Sequence, residues 1–434
     1  SKEHNDAFVA PDLPQIGGLS ITNPSTTPDY YQTSEFMAGS VAVGILLVES
    51  DGSVDPSSEN WTADEKQLVF SEIVAALNWW TGLEPRANLR FVYDDHFTQP
   101  LPTGVEPITR TYQEQQYWIK DAMTALGYDS STSYFALVRD YNNAIRSTFQ
   151  TDWAFTIFVV DSSADTDNRF SDSFFAYAYL GGPFMVMTYG NNGYGPGNLD
   201  AVAAHEIGHI FYALDQYYGT ASCDLRSGYL YVENQNSQYG GCLSNETSIM
   251  RGSTFPYTVG AIDEYAAGQI GWRDSDGDNI LDPLDTNLPV MIDTLIQESD
   301  TVTVSGIAQL VPYPAAHPNR SSITINTITG VQYRFNGGTW QQAVATDEVF
   351  DGVTETYHFT THLPTPGLYL LEIAAVDSAG NRSDTYATET IIIFDTVDNG
   401  LNTVLMPQID AVAGQSTTLS GVAYNLPGHV VSKV

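Results

Sequence analysis

One sixteen-residue stretch limits what this chain can become: Asp200-Ala-Val-Ala-Ala-His205-Glu206-Ile-Gly-His209-Ile-Phe-Tyr-Ala-Leu-Asp215. Residues four apart share one face of an α-helix, so His205 and His209 can aim imidazole nitrogens at a common point. Glu206 sits one step round and reaches what that point binds. A helix is expected here, with Asn198 or Asp200 as cap and Leu199, Val202, Ala203 and Ile207 as its apolar stripe. Two such imidazoles make a metal ligand pair, and Asp215, six residues past His209, is the expected third ligand. Glu233, Glu246 and Glu264 are the other acids at hand for that place.

The His-Glu-x-x-His arrangement is that of a zinc peptidase, with the glutamate as general base. Its extension to Asp215 resembles the metzincin clan, whose motif is His-Glu-x-x-His-x-x-Gly-x-x-His or Asp. The resemblance implies a Met-turn under the metal, and Ser248-Ile249-Met250-Arg251 stands where one is expected. It also implies that zinc activates water at neutral pH while Glu206 moves the proton. Where the clan has the glycine that lets the helix reverse, this chain has Tyr212, for which a positive φ is costly. Tyr257 and Tyr265 are candidates for stabilising the developing oxyanion, by residue type and sequence distance.

The fold class expected is an α+β, metzincin-like catalytic domain followed by an all-β Ig-like sandwich. Residues 1–38 are rich in Pro, Ser and Thr and read as an extended arm. In residues 39–272, strands at Val41–Val48, Leu89–Tyr93 and Trp153–Val160 alternate with helices. The first helix opens on Thr62 and Glu65 as a capping box; others are expected at Tyr112–Leu126 and Tyr134–Ile145. This alternation predicts a mixed sheet with helices packed on it. A closing helix is expected over Val259–Ile270. By the same resemblance, Ala176, Tyr177, Ala178, Tyr179 and Leu180 are an edge strand that takes substrate backbone by strand addition.

Residues 273–289 carry a second metal pattern. Asp274, Asp276, Asp278, Asp282 and Asp285 fall at loop positions 1, 3, 5, 9 and 12, with the carbonyl of Ile280 at position 7. This resembles the calcium loops of EF-hands and thrombospondin type 3 repeats. Asn279 stands where glycine is usual and tolerates left-handed geometry. Residues 290–396 hold short strands and turn signals at sandwich spacing, similar to bacterial Ig-like and fibronectin type III-like modules. Residues 397–434 read as the start of a second such module, or as strands donated to another copy in a head-to-tail homopolymer.

Composition bounds the partners. Sixteen basic against 52 acidic residues give a net charge of −36, which disfavours nucleic acid and anionic membranes. No apolar run is long enough to span a bilayer. Cys223 and Cys242 can be reduced thiols, half a metal site or a disulfide; in an exported chain the disulfide is expected. The expectation is therefore a secreted zinc metalloendopeptidase, its signal peptide removed, acting on protein or peptide. A structural filament or surface-layer subunit retaining the peptidase fold is the rival, and a carbohydrate-binding adhesin a third reading.

Overall fold

In a computed structural model the chain is described over residues 7–12, 26–131, 133–394, 402–405 and 421–424. The described chain is a mixed α/β unit and an all-β unit. The described residues up to Leu284 together with Tyr313–Ile325 form the first, and Asp285–Pro312 with the described residues from Asn326 onward form the second. Tyr313–Ile325, expected within the sandwich, thus belongs to the first unit.

The first unit is built on β1 (Ala7–Val9), β2 (Ser40–Ser50), α1 (Ala63–Leu83), β3 (Arg90–Asp95), β4 (Leu101–Thr103), α2 (Gln115–Ala125), α3 (Tyr134–Phe149), β5 (Trp153–Val160), β6 (Ala176–Leu180), β7 (Phe184–Thr188) and α4 (Leu199–Ile210). Its sheet runs β1-β6-β7-β5-β2-β3, with β4 also on β2. Among the described strands of this sheet only the β6–β7 pair is antiparallel. Every residue of β5 is buried, and so are ten of the eleven in β2. Both strands are near-continuous apolar runs, the pattern a sheet covered on two faces requires. Ala42, Leu46, Ala154 and Phe158 meet Trp118 and Ile119 of α2 and Val138 and Tyr141 of α3 in one core cluster.

Helix α1 starts as its sequence dictates. Thr62 accepts from Glu65 N, and the Glu65 carboxylate accepts from Thr62 N, a reciprocal cap worth about 1 kcal/mol. Its buried stripe ends at Trp80, whose indole donates to the Ala204 carbonyl at 3.0 Å and ties α1 to α4. The helix expected over Val259–Ile270 is instead two, α5 (Phe255–Val259) and α6 (Glu264–Gln269). Gly260, at φ 67°, ends the first. The Asp263 carboxylate then accepts from Tyr265 N and Ala266 N and starts the second. Asp263 is a buried cap.

Two short strands, β8 (Arg226–Ser227) and β9 (Val232–Glu233), pair antiparallel, and Cys223 and Cys242 form a disulfide. Residues 33–38, assigned to the arm by composition, are buried: Phe36 packs edge-on against Trp153 and Tyr229.

The second unit has two four-stranded antiparallel sheets. One orders β10 (Val290–Glu298), β11 (Thr301–Gln309), β15 (Thr354–His362) and β14 (Val344–Ala345). The other orders β13 (Gln341–Gln342), β12 (Ile328–Phe335), β16 (Gly367–Asp377) and β17 (Ala387–Ile393). Alternating residues of both enter one core, where Tyr333 stacks on Phe359 with ring centroids 3.7 Å apart. Strands Asn402–Leu405 and Gly421–Tyr424 pair antiparallel with each other. The rest of 397–434, on which the second-module and homopolymer expectations rest, lies outside the described residues.

Candidate metal centre

Helix α4 places His205 and His209 on one face, and both are buried. Their Nε2 atoms lie 3.2 Å apart. Asp215 Oδ1 is 3.2 Å from each, so three ligand atoms form a near-equilateral triangle. A tetrahedral zinc with bonds of about 2.0–2.1 Å separates its ligand atoms by about 3.3 Å. The triangle fits that spacing.

The outer nitrogens explain why the lone pairs converge. His205 Nδ1 is 2.9 Å from the Ile249 carbonyl, and His209 Nδ1 is 2.7 Å from that of Ala213. A carbonyl only accepts, so each Nδ1 carries the proton and each Nε2 presents a lone pair. Asp215 is fully buried, and neither carboxylate oxygen has a hydrogen-bond donor among the described residues. Burial by itself raises its carboxyl, so only positive charge beside it keeps it ionised. Three acceptors facing one point repel one another unless a cation lies between them. This cluster can hold a metal ion.

The helix reverses as a glycine-bearing motif would, with a tyrosine. Tyr212 has φ 76°. Its N–H caps the His209 carbonyl at 2.8 Å, and its own carbonyl accepts from Ser227 Oγ at 2.6 Å. The ring lies under the Arg320 guanidinium, 3.6 Å from centroid to Cζ, and Arg320 pairs with Glu35. Burial pushes the Tyr212 phenol up to about 12 in spite of Arg320. Side-chain packing thus holds a backbone conformation that the residue type disfavours. The turn delivers Asp215 to the two imidazoles, and Asn234 Nδ2 holds the Asp215 carbonyl at 2.8 Å.

Met250 lies beneath. Ser248 caps the short turn Ile249–Arg251, Gln216 N donates to the Met250 carbonyl at 2.8 Å, and the Ile249 carbonyl is the anchor of His205. A Cβ on Gly208 would come within 2.7 Å of Met250 Sδ, so a glycine in the helix is what lets the thioether pack against α4.

His205 and Glu206 open on a cleft of about 430 Å³ that is also lined by Phe174, Phe175, Tyr194 and Tyr217. Tyr217 was not singled out from sequence, although it lies two residues past Asp215. Its ring centroid is 6.2 Å from that of His205. Tyr257 and Tyr265 do not line this cleft: Tyr257 stacks on Trp79 at 5.4 Å. The reserve acids are elsewhere too; Glu233 pairs with Arg226, while Glu246 and Glu264 are exposed.

The strand expected to offer a free edge to substrate is paired on both sides. Ala178, Tyr179 and Leu180 pair in parallel with Ala7, Phe8 and Val9, so that edge is already taken by β1. Tyr177 and Tyr179 turn inward to Gln115, at 2.9 and 2.7 Å. Of the five residues only Ala176 lines the cleft.

In the acidic loop, Asp274, Asp276 and Asp278 come together. Asn279 takes φ 79°, the left-handed geometry its position calls for. Asp282 is turned away, accepting from Ser275 N and Oγ at 2.7 and 2.6 Å. Asp274 also pairs with Arg86 at 2.9 Å. Asp285 falls in the second unit.

No protein-family model and no curated protein matches the chain. Among solved structures, OgpA from Akkermansia muciniphila, in a catalytically inactive form with an O-glycopeptide substrate, is 9% identical over 85% of this chain and 98% of that one, with a TM-score of 0.26. A β-glucosidase from Kluyveromyces marxianus with bound glucose is 10% identical over 77% of this chain and 34% of its own, at a TM-score of 0.18. The sulfane dehydrogenase SoxCD from Paracoccus pantotrophus is 19% identical, over only 23% of each chain, at a TM-score of 0.17. Likenesses at these scores settle neither fold nor chemistry, and the reading of the site rests on its own geometry.

Proposed function

We propose that the chain is an extracellular zinc metallohydrolase that cleaves peptide bonds, with an Ig-like accessory unit. The observation that carries this reading is the convergence of two Nδ1-protonated imidazoles and one buried carboxylate on a single point beside an open cleft. His205, His209 and Asp215 would hold the metal; two nitrogens and one oxygen suit zinc, with a fourth position left for water or substrate. Zinc, when bound, supplies a Lewis acid that polarises a carbonyl and makes water nucleophilic at neutral pH.

The chain's own groups do the rest. Glu206 follows His205 on α4 and lines the cleft, where its carboxylate takes a proton from the attacking water and passes it to the leaving amine. Met250 is a packing base with no proton chemistry. Tyr217, on the cleft wall beside His205, is the tyrosine we assign to stabilising a developing oxyanion. The disulfide supports an extracellular setting. No helix among the described residues is long and apolar enough to cross a membrane. The strand order of the second unit supports the Ig-like reading. Asp274, Asp276 and Asp278 support a calcium ion on the loop that ends the first unit.

Peptide hydrolysis by the purified chain, with zinc and calcium counted by elemental analysis, tests this directly. Glu206→Gln should keep one zinc per chain and lose about a hundredfold or more in rate. Full activity in that variant would sink the proposal.

A further inference from the structure

We infer that Arg169 reads an anionic oxygen group on the substrate, either an acidic side chain or a phosphorylated hydroxyl, in the same cleft as His205 and Glu206. The inference rests on the metallohydrolase reading for what happens to the substrate, and on charge and geometry for which substrate is held.

The charge distribution is the first ground. The chain carries 52 acidic against 16 basic residues. Yet the cleft is lined by two arginines, Arg169 and Arg251, and by one carboxylate, that of Glu206. A neutral or cationic peptide would need no help entering a chain charged to −36. An anionic one is repelled at long range and needs a fixed positive group where it docks.

The second ground separates the two arginines. Arg251 is committed to its own turn: Nε and Nη2 donate to the Asn236 carbonyl at 3.1 and 2.7 Å, and Nη1 donates to Asn245 Oδ1 at 2.7 Å. Arg169 donates through Nε to Asn192 Oδ1, and among the described residues no carboxylate pairs with its guanidinium, the Asp167 carboxylate accepting only from its backbone N–H. The Asn192 bond orients the guanidinium and leaves its outer fork for a ligand. The planar fork matches a carboxylate or phosphate with two parallel hydrogen bonds, which a lysine ammonium cannot reproduce. Asn192, itself left-handed at φ 49°, also lines the cleft. The Asn192–Arg169 pair therefore belongs to the binding surface. Phe175 and Tyr194, 6.0 Å between centroids, form the apolar wall beside it.

Binding to the zinc-loaded Glu206→Gln chain tests the assignment without relying on turnover. The probes are otherwise neutral octapeptides in which one Glu, one phosphoserine or one Gln is moved along the sequence, followed by calorimetry. At one position the Glu or the phosphoserine peptide should bind at least about tenfold more tightly than its Gln counterpart. The stronger of the two names the source of the anion. Adding Arg169→Gln should bring the ratio near one, and Arg169→Lys should restore only part of it. Equal or undetectable binding of all three peptides at every position overturns the inference. So does a preference that survives Arg169→Gln in a variant with an unchanged melting temperature. If the unsubstituted chain cleaves none of the peptides while the Arg169-dependent preference stands, the hydrolase reading fails and this one holds.

Discussion

Replacing Tyr212 with glycine tests the account of how the third ligand is delivered. The substitution removes a positive-φ penalty of about 1–2 kcal/mol for a non-glycine residue, since Tyr212 sits at φ 76°. Against that stands the side chain. The ring is 6% exposed, lies 3.6 Å from the Arg320 guanidinium, and its hydroxyl reaches Glu35 at 3.5 Å. It also fills the space over Gly181, where a Cβ would come within 1.9 Å of Tyr212 Oη. Deleting a buried aromatic side chain costs about 3–5 kcal/mol, and a desolvated cation–π contact adds up to about 2 kcal/mol. Packing outweighs strain, leaving a net loss of about 1–6 kcal/mol, centred near 3. For a unit of this size that lowers the melting temperature by on the order of 10 °C. Thermal unfolding followed by circular dichroism, with Tyr212→Phe as a control expected to lose well under half as much, reads the difference. A glycine variant as stable as the parent would refute the claim that the Arg320–Tyr212–Glu35 contacts hold the turn.

Gly208→Ala should push Met250 out of place, since its Cβ would meet Sδ at 2.7 Å; overpacking of this kind costs about 1–3 kcal/mol, and a matching loss of zinc affinity in a chelator competition checks it. His317 is held down at about 4, first by burial and then by Arg320. The unfolded chain therefore takes up its proton near pH 6.5 while the folded chain does not. The stability this contributes is fully present above about pH 6.5 and is lost as pH falls toward about 4, so His317→Gln should flatten the melting-temperature profile across that window. Calcium should raise the melting temperature of the parent and leave an Asp276→Ala/Asp278→Ala variant unmoved, checked by scanning calorimetry with and without the ion.

Spacing alone did not single out the site. His358 and His362 are four apart just as His205 and His209 are, but they lie on β15. A strand rises about 3.4 Å per residue, which puts residues four apart some 13 Å from each other, whereas a helix stacks them. What distinguishes His205 and His209 is the apolar period around them, and that was legible from Leu199 to Ile207. The capping box on Thr62 and the buried runs at β2 and β5 were legible for the same reason: they depend on neighbours within a few residues.

The covered edge of β6 was not legible. β1 comes from residues 7–9, about 170 positions earlier, and nothing local to Ala176–Leu180 signals a parallel partner from so far away. The break between α5 and α6 turned on Gly260 and the capping carboxylate of Asp263, signals that a continuous apolar period hid. Local order therefore decided that the chain carries a helix with two imidazoles on one face and a carboxylate soon after it. Only tertiary packing decided that the carboxylate reaches them, because Tyr212 reverses the chain in a conformation its residue type resists. That conformation is held from outside the motif by Glu35, Gly181 and Arg320, residues far apart in sequence whose contacts no short-range pattern encodes.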